Sequence, residues 1–394
     1  MSSTSPLQLQ GLPIEMRLLL ALIGAENKSD STEIPDALFD ETDWNTFVDL
    51  AKHHRVDPYL YHRIKNSPDP RIPASVVKYL QAEYRRNTFL MLQLSGEMQV
   101  IDNHLSERGI RALFLKGPVL AVDLYDDLSL RTSCDLDLLI PLQNLPQAEE
   151  LLTSLGYVKD EYIHTVLNDW KWRHHHTAFY HPVKNVKVEL HWRFHPSPSG
   201  EPDFEDLWNR RRISTISSQP IHYLGREDLF LFLVSHGARH GWSRLRWLLD
   251  IRLWLQQPRD ADSLIALLRK HGYYHVGGQA LVLVSNVFGD PVPGDLAHMA
   301  DLQRAKRLAQ DAVFYMERVV NLHTNPVPED VDRFHKRHLY ALMAFRHKFT
   351  FVISFLFPYP EDAETLPLPK ALHALYFPLR PFLWAWRKMA GVRQ

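Results

Sequence analysis

Cysteine is almost absent from this chain of 394 residues, since Cys134 is the only one. A single cysteine excludes an internal disulfide and a cysteine zinc cluster, and Cys134 is expected to be a small buried strand residue. The chain also lacks an excess of either charge: 45 Lys and Arg face 46 Asp and Glu, a formal net charge of -1. Proteins that grip long nucleic acid are usually strongly basic, so that class is not favoured.

Long apolar runs are missing as well. The longest run near the end of the chain, residues 349–359, is too short to cross a bilayer. The opening residues lack the basic stretch, apolar segment and small-residue cleavage site of a secretory signal. These two observations together predict a cytoplasmic protein. Hydrophobic residues still make up 45% of the composition, so the chain is expected to bury a substantial core.

Two aspartates one residue apart, Asp135 and Asp137, are the most informative feature that is present. They belong to an apolar run that continues to residue 140 and predicts a short buried strand. Side chains alternate along a strand, so both carboxylates face the same side. Two like charges on one apolar face repel each other unless a cation neutralises them. Mg²⁺, which prefers carboxylate and phosphate oxygens, is the expected cation.

A glycine turn and a third acid accompany this pair. Upstream, an apolar stretch stops at Lys116-Gly117, and a short helix is predicted for residues 119–125. Downstream, residues 186–192 predict a strand with Glu189 in its middle, joined by a tight turn to the strand before it. The sequence therefore predicts three carboxylates on two strands beside a glycine turn. This arrangement suits phosphoryl or nucleotidyl transfer assisted by metal ions.

The ordered set of motifs resembles the nucleotidyltransferases of the DNA polymerase β superfamily, and more closely a bacterial family of uncharacterised nucleotidyltransferases. The likeness covers roughly residues 40–255 and includes Leu115-Lys-Gly117, Asp135-Leu-Asp-Leu-Leu139, Glu189-Leu-His-Trp192 and Trp247-Leu-Leu-Asp-Ile251. The resemblance implies two Mg²⁺ ions held by Asp135, Asp137 and Glu189, which are the predicted catalytic residues. It also implies a nucleoside triphosphate, such as ATP, as substrate.

Two features depart from the superfamily's pattern. Pro118 follows Gly117 where the superfamily has serine, and the spacer from Gly117 to Asp135 is longer than usual. Lys116 and Arg131 are expected to replace the phosphate contacts that these departures remove. Lys116, Gly117 and Arg131 are therefore predicted to bind the nucleotide, with a solvated turn lysine as the alternative interpretation of Lys116.

The whole pattern predicts an α+β fold, in which a small mixed-sheet nucleotidyltransferase core lies between two helical regions. We predict an N-terminal helical region at residues 1–95, the core at residues 96–225 and a C-terminal helical region at residues 226–394. Residues 75–108 contain no proline and a single glycine, Gly96, so one long or kinked helix is expected there.

Three polar residues of the C-terminal region are further candidates for the nucleotide site. His236 and His240 are four residues apart, so they share a helix face, and Arg239 lies between them. In the superfamily that the sequence resembles, a helical region closes over the nucleotide. Packed, hydrogen-bonded histidines are the alternative; a zinc pair is not favoured, because the glutamate of a zincin motif is missing. Asp250 is expected to pair with Arg246, four residues before it.

Two further segments leave alternatives open. Residues 170–176 are basic and aromatic, and they are interpreted either as a loop that contacts the nucleotide or as a hairpin entry with packed tryptophans. A metal site using all three of their histidines is not expected, because successive strand residues face opposite sides. Residues 334–394 are rich in aromatic and basic side chains, which would also suit a membrane surface. Four prolines from Pro367 to Pro381 argue against one continuous amphipathic helix, so packing onto the preceding helices is favoured.

The expected reaction is Mg²⁺-dependent transfer of a nucleoside monophosphate from an NTP to a hydroxyl group. The acceptor is interpreted as a small molecule, a peptide or a protein, and the resemblance implies a biosynthetic pathway. Neither the acceptor, the base of the NTP nor the oligomeric state is encoded in a readable motif. A toxin-like tRNA nucleotidyltransferase and a non-catalytic binding or scaffold protein on the same fold remain the alternatives.

Overall fold

The computed structural model describes residues 6–24, 34–196, 200–322, 324 and 326–389. Helices flank a mixed β-sheet, which confirms the predicted α+β class. The described helices before the sheet are α1 (Ile14–Gly24), α2 (Asp36–Asp40), α3 (Trp44–His53), α4 (Asp57–Asn66) and α5 (Ala74–Glu107). Buried side chains from these helices, the sheet and the later helices form one contiguous apolar core.

The long helix α5 matches the stretch without proline almost residue for residue. It is a single helix of 34 residues. A Cβ added at Gly96 would meet nothing within 4 Å, so close packing does not require a glycine at this position. The boundary predicted between residues 95 and 96 falls inside α5, and the division of the chain into three regions stays a prediction.

One carboxylate of α5, Asp102, is buried at 6% exposure, and burial raises its pKa to about 6. A raised carboxyl pKa means that the folded state binds more protons than the unfolded state between about pH 4 and pH 6, so the unfolding free energy falls as pH rises through this window. We expect Asp102→Asn to remove that fall and to stabilise the protein by about 1–2 kcal/mol at pH 8.

Urea unfolding of both proteins at about pH 4 and about pH 8 measures this effect. Glu107→Gln, an exposed position of the same helix, is the control and should keep the wild-type pH dependence. A variant that follows the wild type at both pH values would contradict the expectation.

The described strands form a seven-stranded sheet in the order β3-β4-β5-β2-β1-β7-β6. The strands are β1 (Leu113–Phe114), β2 (Asp135–Leu139), β3 (Val158–Lys159), β4 (His176–His181), β5 (Val186–His191), β6 (Arg212–Ser214) and β7 (Ile221–Tyr223). β2 lies in the centre, parallel to β5 and antiparallel to β1, while β4 and β5 form an antiparallel hairpin. Between the strands lie α6 (Pro118–Tyr125), α7 (Leu145–Ser154), α8 (Trp170–Arg173) and α9 (Phe204–Asn209).

Helices make up the part of the chain that follows the sheet. They are α10 (Arg226–Arg239), α11 (Leu245–Leu255), α12 (Ala261–His271), α13 (Tyr274–Phe288), α14 (Ala297–Ala300), α15 (Gln303–Glu317), α16 (Glu329–Leu342), α17 (Phe345–Ser354), α18 (Pro360–Thr365) and α19 (Tyr376–Met389). Within the described ranges, none of the helices combines the length and apolar character that crossing a membrane requires.

The prediction that the C-terminal segment does not form one continuous helix is confirmed for the described residues, because α16 to α19 are separate and Pro367 and Pro369 lie between α18 and α19. The two later prolines do not interrupt a helix. α19 runs continuously through Pro378 and Pro381. Arg380 and Arg387 hold it against the buried carboxylate of Asp362, at 2.7 and 2.8 Å. Residues 390–394, the end of the predicted C-terminal region, lie outside the described residues.

Candidate active site

The sheet brings the three predicted acids onto one face. Asp137 on β2 lies directly opposite Glu189 on the parallel strand β5, and Asp135 lies opposite Lys187. Partners in register share a face of the sheet, so Asp135, Asp137 and Glu189 project to the same side. Cys134, expected to be buried, is exposed because it lies just before β2 begins.

Two of the acids and one histidine lie close enough to bind the same metal ion. Oxygens of Asp137 and Glu189 and a ring nitrogen of His191 all lie within 4.8 Å of one another. Asp135 is not a member of this group, although its charge interacts with those of Asp137 and Glu189. His191 comes two residues after Glu189 on β5, which places it on the same face.

Positive groups surround the acids. Lys116 Nζ lies 3.1 Å from Asp137 Oδ1, and His191 Nε2 lies 3.1 Å from the same oxygen and 3.4 Å from Glu189 Oε2. Lys187 Nζ donates to Glu189 Oε1 at 2.6 Å. These contacts offset the mutual repulsion of the carboxylates.

The pKa values of Asp135, Asp137, Glu189 and His191 differ accordingly. Burial and the neighbouring charge of Asp137 raise the pKa of Asp135. Burial would also raise the pKa of Asp137, but Lys116 and His191 outweigh it and lower that pKa. Burial is outweighed in the same way at Glu189, whose pKa lies well below its usual range mainly because of His191. Burial opposes the charge of His191, yet its hydrogen bonds to Asp137 and Glu189 raise its pKa.

The donor set fits Mg²⁺. Asp137 Oδ2 is buried and has no hydrogen-bond partner, although its sister oxygen contacts both Lys116 and His191. A buried carboxylate oxygen without a partner is costly, and a cation would satisfy it. An oxygen of Glu189 lies within 4.8 Å, and Asp135 lies on the same face of the sheet; both carboxylates offer the hard ligands that Mg²⁺ prefers.

The Lys116-Gly117 turn leads directly into α6, beside the acids. Gly117 has φ of +78°, a conformation that residues with a side chain rarely adopt. Pro118 occupies the first position of α6, where its missing N–H costs nothing. The next N–H groups, of Val119 and Leu120, have no acceptor within the helix and point towards its N-terminal end. This end can therefore attract an anion.

Arg131 has a different role from the predicted phosphate contact. It is 1% exposed, and its guanidinium donates to both oxygens of Asp250 at 2.9 Å. Tyr125 also donates to Asp250, at 2.7 Å. The expected pair of Asp250 with Arg246 is therefore corrected, since Arg246 instead donates to Thr132. Enclosure and a carboxylate partner leave Arg131 no exposed face for a phosphate.

His236 and Arg239 lie on α10, and His240 is the residue that follows its last turn. Lys116 lies over the ring of Phe232, which stacks on the ring of His236. The ring centroid of His236 lies 4.7 Å from that of His240 and 5.5 Å from that of Trp247. The two histidines therefore lie on the same side of the helix, as their spacing predicted. Burial and the charge of Lys116 hold the pKa of His236 well below its usual value. Burial lowers the pKa of Arg239, and the charge of Glu189 opposes this shift. Their role in nucleotide binding stays a prediction.

The segment of residues 170–176 contributes two histidines to the site. Nitrogens of His175, His176 and His191 lie within 4.8 Å of one another, so two of the three adjacent histidines approach His191. The sequence motifs did not predict a role for His191 or Lys187. Their spacing around Glu189, two residues on either side along a strand, was the available signal.

Comparison with known proteins gives one match. The family model described as an uncharacterised nucleotidyltransferase matches residues 40–289, well over half of the chain and all of the residues above. Neither the comparison with curated proteins nor that with solved structures gave a match.

Proposed function

This chain belongs to the uncharacterised nucleotidyltransferase family, and on that premise we propose that it transfers a nucleoside monophosphate from an NTP to an acceptor hydroxyl, releasing pyrophosphate. The observation that supports this reaction is the pairing of Asp137 with Glu189 on parallel strands, with Asp137 Oδ2 buried and unpartnered. The Lys116-Gly117 turn lies within reach of the same aspartate.

Asp135, Asp137 and Glu189 would hold the metal ions. When bound, Mg²⁺ would neutralise the triphosphate and polarise its α-phosphate towards the attacking oxygen. Lys116 would leave Asp137 for the phosphates, since a lysine is a flexible point charge that can exchange one oxyanion for another. The free N–H groups at the start of α6 would donate hydrogen bonds to a phosphate oxygen beside Lys116.

Glu189 and His191 divide the remaining work between them. Glu189 lies directly opposite Asp137, and oxygens of the two carboxylates lie within 4.8 Å of each other, so we assign Glu189 to the metal rather than to general-base catalysis. His191 donates to Asp137 and lies against Glu189, which fixes the orientation of both carboxylates.

A basic groove near residues 171–176 would favour the tRNA alternative. Arg173 there pairs with Asp169 at 2.7 Å and covers the ring of Tyr359 at 3.6 Å from its centroid. This cation is thus engaged within the protein, and we do not extend the proposal to tRNA.

The test incubates the purified chain with cell extract, Mg²⁺ and each NTP labelled at its α-phosphate. We expect label to move to one acceptor species, with stoichiometric pyrophosphate and no transfer when Ca²⁺ replaces Mg²⁺. Asp160→Asn, an exposed acid outside the cluster, should transfer like the wild type. Absence of label transfer with every NTP would support the scaffold alternative instead.

A further inference from the structure

A cavity of about 610 Å³ lies between α10 and α13 on one side and α16 and α17 on the other. Much of its wall is apolar, including Val276, Leu339, Leu342, Met343 and Phe351. This volume is in the range of sites that enclose small organic molecules. The side chains from residues 336–355 lie beyond the region that matches the family, so this chain's own C-terminal helices shape half of the wall.

Of the three Arg and Lys side chains on this wall, one is left without a carboxylate. Arg173 pairs with Asp169 at 2.7 Å, and Lys336 pairs with Asp332 at 2.8 Å. Arg239 forms neither a hydrogen bond nor an ion pair with any described residue, and its Nε is enclosed without a partner. Arg239 is partly exposed on the cavity wall, and a guanidinium without a carboxylate partner at this position suits an anionic ligand.

A second buried polar group lies on the same wall. His195 is 4% exposed, and neither of its ring nitrogens has a hydrogen-bond partner. Its ring packs against Tyr273, at 5.8 Å between centroids. Burial holds the pKa of His195 well below its usual value, so the neutral ring can both donate and accept a hydrogen bond.

Helix α10 connects the cavity with the acid cluster. Burial lowers the pKa of Arg239 to about 10, and the electrostatic interactions with Tyr273 and Glu189 oppose this shift. Burial and then the charge of Arg239 lower the pKa of His175, whose ring centroid lies 5.4 Å from that of His191. Helix α10 carries Arg239 on the cavity wall and also Phe232, whose ring centroid lies 6.0 Å from Lys116 Nζ. Lys116 in turn contacts Asp137 at 3.1 Å, so the cavity and the acids lie along the same helix.

We propose that this cavity is the acceptor subsite, and that the acceptor is an apolar molecule with a hydroxyl and an anionic head at the same end. Arg239 would bind the head, a carboxylate or a phosphate, through paired hydrogen bonds, and His195 would bond the head or the hydroxyl. The apolar body would lie among Val276, Leu339 and Leu342. This inference rests on the proposed nucleotidyl transfer, and the hydroxyl would extend from this subsite towards the acids.

The first test measures binding by calorimetry, without nucleotide, so that it does not depend on catalysis. Decanoate and decyl phosphate supply the two anionic heads, while decanol and decylamine keep the same chain with a neutral or cationic head. We expect both anions to bind at least about tenfold more tightly than decanol, and decylamine to bind more weakly than decanol. Equal affinity for decanol and the anions, or binding of none of the four, would overturn the proposal.

Variants then assign the effect to the cavity. Arg239→Met should weaken the anions at least about tenfold and leave decanol unchanged, and Arg239→Lys should restore part of the loss. Leu339→Trp should fill the cavity and weaken decanol as well as the anions. Arg333→Gln, an exposed position of α16 paired with Glu329, is the matched control and should bind all four probes normally.

Two outcomes separate this inference from the proposed reaction. Asp137→Asn should bind decanoate like the wild type, because Asp137 is not part of the cavity wall. If the protein binds decanoate but transfers no nucleotide, the proposed reaction is rejected, and the cavity remains a binding site for anionic amphiphiles. Competition between decanoate and MgATP, with loss of MgATP binding in Arg239→Met, would instead assign the cavity to the nucleotide and overturn the acceptor subsite.

Discussion

Asp137→Asn is expected to lower Mg²⁺-dependent pyrophosphate release by at least about a thousandfold. The asparagine keeps the size of the side chain but loses the negative charge, and its amide nitrogen cannot ligate a cation. Asp137 contacts Lys116 and His191 through one oxygen and leaves the other free, so it lies at the centre of the cluster. Release is measured in the presence of the labelled acceptor, with Asp160→Asn as the matched control. Undiminished release would reject the proposed site.

The same variant should also lose stability in the absence of metal. Repulsion between the acids alone would predict a gain, but Lys116 and His191 already neutralise Asp137. Removing its charge leaves buried cations with less compensation, so the thermal midpoint should fall. Mg²⁺ should raise the midpoint of the wild type and not that of the variant, since a ligand stabilises only a folded state that binds it. An equal rise in both proteins would contradict metal binding at Asp137.

Arg131→Met is expected to lower the unfolding free energy by about 3–5 kcal/mol, because it leaves Asp250 buried without its cation. The guanidinium forms two hydrogen bonds of 2.9 Å with this carboxylate. Asp250 is fully buried, and the hydrogen bond from Tyr125 alone cannot replace the lost charge. Chemical unfolding followed by circular dichroism measures the loss.

A double variant is the control for this pair. Arg131→Met with Asp250→Leu removes both charges, so it should recover part of the stability that the single variant loses. The alternative assignment of Arg131 to phosphate binding predicts a different result, in which stability is kept and KM for the NTP rises. That outcome would contradict the structural role of Arg131.

Local sequence patterns were sufficient for several parts of this protein. The alternation in β2 determines that Asp135 and Asp137 share a face, because that relation depends on neighbouring residues of one strand. The absence of proline from residues 75–108 predicted α5 to within one residue at each end. The position of Gly117 before α6 follows from the backbone conformation that a sharp turn requires.

Pairing between distant segments depended on the tertiary structure. The register that sets Asp137 opposite Glu189 joins residues 52 positions apart, and a shift of one residue would have placed Glu189 on the other face. Arg131 could be assigned to Asp250, 119 residues away, only once the helices had packed. The cavity beside Arg239 likewise needs walls from four helices. Periodicity reports which face of an element is apolar, whereas packing decides which other element covers it and which buried charges then meet.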